Sequence, residues 1–261
     1  MLPIDLKGKV TIVTGCTQGI GLGIAKVMAK AGCNIAGCGL SEENSAKAIQ
    51  FVHQIETEGR KAFYKKTDVK SETDINLFVD EVIKEFGKID FLVSNAGVNK
   101  FTSPETCSSS FWEENMDLNL KSHWMISKAC YPTLKQQRGV ILLMTSNHAF
   151  STIPDCFPYN VSKSAIDGLV RALAVQWSAD VRVIGIAPGF IETEGGEEWF
   201  KAFQDPEKKK EEVLGIHPTR KLGSVEEVGA FCAFLCTPYA DFITGTTYLM
   251  DGGRSALMQD I

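Results

Sequence analysis

Tyr159 and Lys163, four residues apart, have the clearest capacity for acid–base chemistry in this sequence. On a helix, side chains at this spacing share one face, about one turn apart. A free phenol has a pKa of about 10, but an ammonium within roughly 4 Å, at an effective dielectric near 20, favours the phenolate by up to about 4 kcal/mol. Desolvation opposes this effect and reduces the net shift. A tyrosine tuned by the lysine could exchange a proton with a substrate hydroxyl or carbonyl.

A second pair with the same spacing, Tyr131 and Lys135, means that the spacing alone is not specific. Ser146 distinguishes the two pairs, because it precedes Tyr159 by thirteen residues. A strand end, a loop and the first turn of a helix fit that interval, so the serine could donate to the same substrate oxygen. Tyr131 has no such partner, and we therefore expect Tyr131 and Lys135 to be structural.

The bulk composition predicts one globular α/β domain over residues 1–261. The chain is 44% hydrophobic and 23% charged, and its net charge of −5 argues against nucleic-acid binding. No apolar run approaches a membrane span, and the N-terminus lacks a signal-peptide hydrophobic region, so we expect a cytoplasmic protein. The eight cysteines form no C-x-x-C pair, which predicts buried thiols in a reducing compartment and no metal site.

Short apolar runs alternate with amphipathic stretches, the pattern of βαβ units in a parallel sheet with right-handed crossovers. About seven strands are predicted, at 10–13, 34–38, 62–64, 89–93, 140–144, 181–186 and 247–250. Helices are predicted at 22–31, 42–58, 71–86, 111–134, 155–177 and 225–236. In such a sheet, ligands bind at the carboxyl ends of the strands.

A glycine-rich turn between the first strand and the first helix predicts a dinucleotide site. Gly15 permits the tight turn, Gly19 lets the backbone approach a pyrophosphate, and Gly21 permits close helix–strand packing. The N-terminus of the following helix supplies free N–H groups and a favourable dipole for the phosphates.

Two other polar residues, Asp68 and Asn95, follow predicted strands and fall at the same edge of the sheet. Asp68 either accepts a hydrogen bond from an adenine amino group or caps a helix, and spacing does not separate these roles. Asn119 lies inside the predicted helix 111–134. Its side chain either bonds the backbone or a core partner, which the spacing favours, or breaks the helix locally and holds a water.

Residues 190–222 predict a small helical lid over a substrate site, because aromatic residues are interspersed among charged ones. The alternative is a solvated surface insertion. A substrate pocket is expected between this segment and the loop after Ser146. The mixture of aromatic and polar groups is compatible with sugars, polyols or oxoacyl thioesters. The expected substrate contacts are Ser146, His148, Phe157, Phe190 and Trp199.

The order and spacing of these motifs resemble the short-chain dehydrogenase/reductase (SDR) family from about residue 7 to residue 253. One departure is Ser94, where the family more often has a second asparagine. The matching residues are Thr14, Gly15, Gly19, Ile20, Gly21, Asp68, Val69, Asn95, Ala96, Gly97, Asn119, Ser146, Tyr159, Lys163, Pro188, Gly189, Thr193, Phe242, Ile243, Thr244, Gly245, Asp251, Gly252 and Gly253.

The resemblance implies an NAD(P)-dependent oxidoreductase on a Rossmann-type doubly wound parallel sheet, with helices on both faces. By analogy, Tyr159 is the acid/base, Lys163 lowers its pKa and binds the nicotinamide ribose, Ser146 holds the substrate oxygen, and Asn119 positions a water in a proton relay. A homotetramer is expected from the same resemblance. The implied cofactor-binding residues are Gly15, Thr17, Gln18, Gly19, Ile20, Gly21, Gly39, Leu40, Ser41, Asp68, Val69, Asn95, Ala96, Gly97, Tyr159, Lys163, Pro188, Gly189, Ile191 and Thr193.

Two alternatives to a sugar or polyol dehydrogenase remain in view. The first is a 3-oxoacyl thioester reductase. The second, a non-catalytic NAD(P)-sensing protein, would not need to retain all four residues of the catalytic set. An enoyl-thioester reductase is disfavoured, because those family members have a wider tyrosine–lysine gap.

The end of the second strand lacks both common determinants of cofactor choice. Gly39 stands where an NAD enzyme has an acidic residue, and Leu40 stands where an NADP enzyme has an arginine. Ser41 could donate to a 2′-phosphate, but Glu42 and Glu43 follow at once. We therefore expect a relaxed preference that leans slightly towards NADP.

Overall fold

The computed structural model describes residues 4–177 and 179–258, in which seven strands form a parallel sheet. The strand order is β3-β2-β1-β4-β5-β6-β7, which confirms the predicted doubly wound fold. The strands are β1 (Val10–Thr14), β2 (Asn34–Gly39), β3 (Ala62–Lys66), β4 (Phe91–Ser94), β5 (Val140–Met144), β6 (Arg182–Pro188) and β7 (Thr247–Met250).

Nine α-helices lie in this part of the chain, and those between strands cover both faces of the sheet. On one face α1, α2 and α9 bury residues such as Ile24, Phe51 and Val228. On the other, α3, α5 and α6 bury residues such as Phe78 and Ile126. The helices are α1 (Gly19–Lys30), α2 (Ala46–Glu56), α3 (Glu72–Phe86), α4 (Ser109–Met116), α5 (Ser122–Gln137), α6 (Tyr159–Trp177), α7 (Glu194–Lys201), α8 (Pro206–Gly215) and α9 (Val225–Leu235).

The central strands β1, β4 and β5 are buried along their whole length. Burial on both faces explains why these strands are continuous apolar runs rather than alternating ones. The strand order reverses between β1 and β4, and such a switch point opens a crevice at the carboxyl ends of the strands. The predicted site residues lie around this crevice because most of them directly follow strands.

Four predicted helices differ from the structure by more than one residue, and one of them, α1, begins at Gly19 rather than 22. Helix α2 begins at Ala46 rather than 42, because Ser45 caps it through the Ala48 N–H at 3.3 Å. Helix α6 begins at Tyr159 rather than 155, because the carbonyl of Phe157 accepts the Thr102 N–H at 2.7 Å and holds the preceding segment as a loop. The predicted helix 111–134 is two helices, α4 and α5, joined by a π-helical turn, Asp117–Lys121.

The predicted segment 190–222 contains two helices, α7 and α8, as expected of a helical insertion. Thr193 caps α7 and Asp205 caps α8. The segment has its own small apolar cluster, centred on Phe200, Val213 and Leu222. In the part of the chain that the structure describes, no helix is long and apolar enough to cross a bilayer.

Candidate active site

Tyr159 and Lys163 are both buried on the first turns of α6, 5% and 4% exposed respectively. The Lys163 Nζ lies 5.6 Å from the centroid of the Tyr159 ring. It donates a hydrogen bond to the Met144 carbonyl at the end of β5, at 3.1 Å. The predicted pair is therefore on one helical face, but the lysine is directed to a backbone carbonyl at the strand end.

The electrostatics of this pair differ from the simple sequence expectation. Burial raises the pKa of Tyr159 to about 12, although a hydrogen bond from Ser146 lowers it in part and the nearby Cys156 raises it. Burial lowers the pKa of Lys163 to about 8. The expected depression of the tyrosine pKa by the lysine is absent from this arrangement, because desolvation dominates for both groups. Tyr159 is accordingly a neutral phenol near neutral pH.

Ser146 lies at the carboxyl end of β5, close enough to Tyr159 to affect its pKa. Its Oγ accepts the His148 N–H at 3.2 Å and caps a short 3-10 turn, Asn147–Ala149. The hydroxyl is therefore held by the loop that follows the strand. The side chains of Ser146 and Tyr159, thirteen residues apart in sequence, are therefore close together, as their spacing predicts.

Asn119 is fully buried in the π-helical turn between α4 and α5. Its Oδ1 accepts the Val98 N–H at 2.9 Å, and its Nδ2 donates to the Val98 carbonyl at 3.1 Å and to the Asn115 Oδ1 at 3.0 Å. The structure thus combines parts of the two expectations for Asn119. The side chain bonds the backbone of a loop, and the helix is locally broken at this residue. Such π-helical turns often lie at functional sites.

Gly97 packs tightly against Asn119 and lies close to Lys163. A Cβ at this position would lie 2.8 Å from the Asn119 Oδ1 and 3.5 Å from the Lys163 Nζ. The first contact is too close for any side chain, so the glycine lets the loop after β4 run against the asparagine.

The glycine loop after β1 has the backbone that the sequence predicts. Gly15 and Gly19 have φ values of 65° and 55°, which favour glycine. A Cβ at Gly21 would lie 2.2 Å from the Gly15 carbonyl oxygen, which explains the close packing of α1 against the loop. Helix α1 has no side-chain N-cap bond, so its first turn is available to an anion.

Asn95 holds this loop in place. Its Nδ2 donates to the carbonyls of Thr14 and Gly15, at 3.0 and 3.3 Å. The Thr14 Oγ1 in turn accepts the N–H groups of Asn95 and Ala96, both at 2.9 Å. Thr14 is a supporting residue whose role the sequence analysis missed, although its place in the glycine motif was a usable signal.

Asp68 does not cap α3, because Ser71 performs that function through the Asp74 N–H at 3.2 Å. The Asp68 Oδ1 instead accepts the Lys70 N–H at 2.9 Å, which leaves the carboxylate at the carboxyl end of β3. The helix-cap alternative for Asp68 is therefore wrong, and its contact with an adenine group stays a prediction. Val69, next to it, is buried.

Two lysines lie close to the acidic segment after β2 and to the glycine loop. Glu42 pairs with the Lys66 ammonium, and the Glu43 Oε1 accepts the Lys66 N–H at 2.9 Å. The Tyr64 hydroxyl donates to the Ser41 carbonyl at 2.9 Å. Lys47, from the first turn of α2, places its Nζ 2.5 Å from the Gln18 Oε1 in the glycine loop.

The predicted substrate residues divide into three groups. The His148 ring stands edge-on to Tyr159 with centroids 6.1 Å apart. Phe157 packs on Trp112 at 5.3 Å, beside the loop at 102. Phe190 and Trp199 pack on each other at 5.6 Å.

The sequence analysis missed Phe101, whose ring centroid lies 5.2 Å from that of Tyr159. It follows the loop after β4, and no pattern in the sequence marked it. The remaining predicted cofactor residues, Thr17, Ile20, Gly39, Leu40, Pro188, Gly189, Ile191 and Thr193, lie in or next to the glycine loop, at the end of β2, and at or after the end of β6.

The second tyrosine–lysine pair is structural, as expected. Tyr131 stacks on Trp177 with ring centroids 4.3 Å apart. The Lys135 ammonium forms an ion pair with Asp180 at 2.9 Å. Both residues therefore tie the end of α5 to the end of α6.

Comparison with known proteins places this geometry in a family. A protein-family model described as enoyl-(acyl carrier protein) reductase matches residues 15–255. Dehydrogenase/reductase SDR family member 4 of Homo sapiens is 34% identical over 253 residues, which cover 95% of this chain and 88% of that protein. The 2-dehydro-3-deoxy-D-gluconate 5-dehydrogenase of Dickeya dadantii is 31% identical over 252 residues, which cover 95% of this chain and 96% of that protein.

Among solved structures, the aldohexose dehydrogenase of Thermoplasma acidophilum superposes with a TM-score of 0.88 at 28% identity, covering 98% of this chain and 97% of the other. The match of the family model and the curated relatives agrees with the sheet order and with the motifs at the strand ends. The chain therefore belongs to the short-chain dehydrogenase/reductase family and is an oxidoreductase that acts on CH–OH groups.

Proposed function

We propose that this enzyme transfers a hydride between NAD(P) and a secondary alcohol or ketone, with Tyr159 as its acid/base. The observation that carries the proposal is the burial of Tyr159 and Lys163 on one face of α6, with Ser146 adjoining the phenol. Three side chains, one from the end of β5 and two from the start of α6, thus meet at the carboxyl ends of the strands. A purely structural role would not need a buried ammonium beside a buried phenol.

The residues present fit a dinucleotide. The uncapped first turn of α1 offers N–H groups to a pyrophosphate, and Gly15 and Gly19 give the loop before it the left-handed backbone that lets it approach a phosphate closely. The Lys163 ammonium borders the loop after β4, since a Cβ at Gly97 would lie 3.5 Å from its Nζ, and a nicotinamide ribose would bond the ammonium there. Bound nicotinamide would supply or accept the hydride.

The protein would handle the proton. In the reductive direction the Tyr159 hydroxyl donates its proton to the carbonyl oxygen of the substrate, and in the oxidative direction the phenolate accepts it. Ser146 donates to the same oxygen and lowers the pKa of the phenol. With a pKa of about 8, Lys163 is largely protonated at neutral pH, so a positive charge would lie near the phenolate once it forms. Asn119, beyond Gly97, is the next polar group on a route for the proton to leave.

Cofactor preference is proposed to lean towards NADP. Glu42, which would repel a 2′-phosphate, is paired with the Lys66 ammonium, whereas Glu43 accepts the Lys66 backbone N–H and keeps its charge. Lys47 brings a positive charge to the glycine loop, next to Gln18. Together these contacts support an environment near the adenosine ribose that tolerates a phosphate better than the sequence around Gly39 suggests.

The proposed substrate is a sugar or polyol. In support, two similar proteins are named as an aldohexose dehydrogenase and a 2-dehydro-3-deoxy-D-gluconate 5-dehydrogenase. A 3-oxoacyl thioester reductase remains the second candidate, since the matching family model is described as an enoyl-(acyl carrier protein) reductase, whose name also points to an acyl thioester. The four-residue gap between Tyr159 and Lys163 continues to disfavour an enoyl reductase.

A homotetramer is proposed from the surface of α5 and α6. An apolar groove between these helices is lined by Leu120, Trp124, Ala165, Gly168 and Leu169. Trp124 is 42% exposed, which is a large apolar side chain to leave in water. The small residues of α6 would let a second copy approach closely.

The function is tested by measuring reduction or oxidation of NAD(P)(H) with sugars, polyols and 3-oxoacyl esters, using both cofactors. Turnover of a sugar or polyol supports the proposal, and turnover of oxoacyl esters alone would favour the second candidate. Cofactor binding without turnover of any alcohol or ketone would instead indicate an NAD(P)-sensing protein.

A further inference from the structure

Arg254 lies on a single 3-10 turn, Arg254–Ala256, shortly after β7. Both carboxylate oxygens of Asp251 hold this turn. Oδ1 accepts the Gly253 N–H at 3.0 Å, and Oδ2 accepts the Ser255 N–H at 2.8 Å. The backbone that carries Arg254 is therefore fixed, although it lies near the end of the described chain.

This turn joins the two borders of the expected substrate pocket. On one side, the Ser151 Oγ donates to the Ser255 carbonyl at 3.5 Å and ties the turn to the loop that begins at Ser146. On the other side, Gly253 packs against Pro218, which follows α8, and a Cβ at Gly253 would lie 3.2 Å from the Pro218 Cγ. Arg254 thus lies where the catalytic loop meets the base of the helical insertion.

Within residues 4–177 and 179–258, the Arg254 guanidinium has no carboxylate at salt-bridge distance and donates no side-chain hydrogen bond. Burial lowers its pKa, and the charge of Asp251 opposes that change only in part. Arg182 shows the usual alternative for a half-buried arginine. It donates to the carbonyls of Leu235 and Ile243 at 2.8 and 3.3 Å. A partly desolvated cation without such partners is costly unless an anion binds to it.

His148 lies close enough to Arg254 to feel its charge and also contacts Tyr159. Its Nδ1 is near the Cys156 Sγ at 3.4 Å and the Thr152 Oγ1 at 3.3 Å, and its ring is edge-on to Tyr159. Burial, and then the positive charge of Arg254, lower the pKa of His148, so the imidazole is neutral near neutral pH. In the described chain its Nε2 makes no hydrogen bond and can face a ligand.

We propose that Arg254, with His148 beside it, forms an anion subsite that binds a carboxylate of the substrate. Arginine suits this task because its planar donors match a carboxylate in two parallel hydrogen bonds. The substrate class is then a sugar acid, such as an aldonate or its oxo derivative, rather than a neutral sugar. The reacting alcohol and the cofactor complex used below rest on the function proposed above, whereas binding of a carboxylate at Arg254 can be measured without turnover.

The test is isothermal titration of the protein–NADP⁺ complex with D-gluconate and with D-gluconamide, which differ only in a carboxylate and an amide. The parent should bind gluconate at least about tenfold more tightly, equivalent to about 1.4 kcal/mol. In R254Q the two affinities should come within about twofold of each other, whereas R254K should retain an intermediate preference. R138Q is the control, because Arg138 is an exposed residue that ends α5 at the opposite edge of the sheet.

Equal binding of the two probes by the parent, or no detectable binding of either, overturns the subsite. A gluconate preference that survives in R254Q removes Arg254 from it. Failure here is separable from failure of the proposed function. Turnover of neutral polyols without an acid preference leaves hydride transfer standing and rejects the subsite. A gluconate preference in binding, with no alcohol oxidised, would support the anion subsite and reject the proposed hydride transfer.

Discussion

The Lys47 ammonium lies 2.5 Å from the Oε1 of Gln18 and joins the first turn of α2 to the glycine loop before α1. The two residues are 29 positions apart in sequence. This contact brings a positive charge to the place where the adenosine half of a dinucleotide would bind. It gives the chain a candidate phosphate ligand that the residues directly after β2 do not provide.

Replacing Lys47 with glutamate should lower kcat/KM for NADP about tenfold or more and change the value for NAD little, since only NADP carries the 2′-phosphate. In the parent, the difference between the two cofactors should be less than about a hundredfold, or about 2.7 kcal/mol. Steady-state kinetics with both cofactors measure this. Lys30→Glu, at the far end of α1, is the matched control. An equal loss with NAD and NADP would show that Lys47 supports the loop rather than the phosphate.

Gly39→Asp should shift the enzyme towards NAD, because a carboxylate at the end of β2 accepts from the ribose 2′-hydroxyl and repels a 2′-phosphate. The position tolerates a side chain, since a Cβ would lie 3.5 Å from the Tyr64 hydroxyl, an ordinary contact. The ratio of kcat/KM values reports the shift. Unchanged activity with NADP would mean that position 39 does not lie beside the ribose.

Tyr159→Phe should retain cofactor binding and lose roughly 10²–10⁴-fold in kcat, the usual contribution of a general acid or base. Cofactor fluorescence titration and turnover with the best substrate separate the two effects. Tyr131→Phe is the control, because Tyr131 stacks on Trp177 away from the site. A comparable loss of kcat in Tyr131→Phe would show that Tyr159 is not the specific acid/base.

Lys163 should give a pH signature in protein stability. Its folded pKa of about 8 lies below the ordinary value of 10.5, so between these values the unfolded chain binds more protons than the folded one. Stability from this group therefore rises with pH in that window, and the cost of the buried charge is fully present below pH 8. Relative to Lys163→Met, the parent should gain about 2 kcal/mol between pH 8 and pH 10.

Urea unfolding of both proteins at the two pH values measures this difference, and using the difference cancels the titration of the buried cysteines. The same pH dependence of stability in the two proteins would contradict the lowered pKa of Lys163.

Lys163→Ala should weaken cofactor binding and shift the pH dependence of oxidation to higher pH, because the Tyr159 phenolate then lacks a nearby ammonium.

The groove between α5 and α6 should be an interface between copies of the chain. Light scattering at micromolar concentration should give a mass several times the 28.6 kDa of one chain, and a tetramer is expected. Leu169→Glu should reduce that mass, because it places a charge in the groove next to Trp124. A parent protein that is monomeric at this concentration would reject the interface.

Local chemistry in the sequence was enough to predict the fold class and the core of the candidate site. Buried strands in a parallel sheet are apolar on both faces, so β1 and β5 appear as continuous apolar runs. Helical spacing puts Tyr159 and Lys163 on one face whatever the rest of the chain does. The interval from Ser146 to Tyr159 is also short enough to be read from the chain alone.

Contacts between distant segments were beyond such reading. The π-helical turn at Asn119 depends on its bonds to Val98, which is 21 residues away. The expected lowering of the Tyr159 pKa depends on the position of the Lys163 ammonium, which donates its hydrogen bond to the Met144 carbonyl instead. Periodicity and propensity describe neighbours along the chain, so they carry no information about either partner.

The surroundings of Arg254 and Lys47 could not be predicted from the sequence either, because they depend on contacts between distant segments. In the sequence, Arg254 is an arginine near the C-terminus, and Lys47 is a lysine about one helical turn after two glutamates. Packing brings Arg254 to the catalytic loop through Ser151 and Ser255, 104 residues apart, and brings Lys47 to the glycine loop. The sequence by itself determined which elements form and which residues end the strands. Only the tertiary structure decided which charges surround the site, because the strength of a charge depends on distance and burial after the chain has folded.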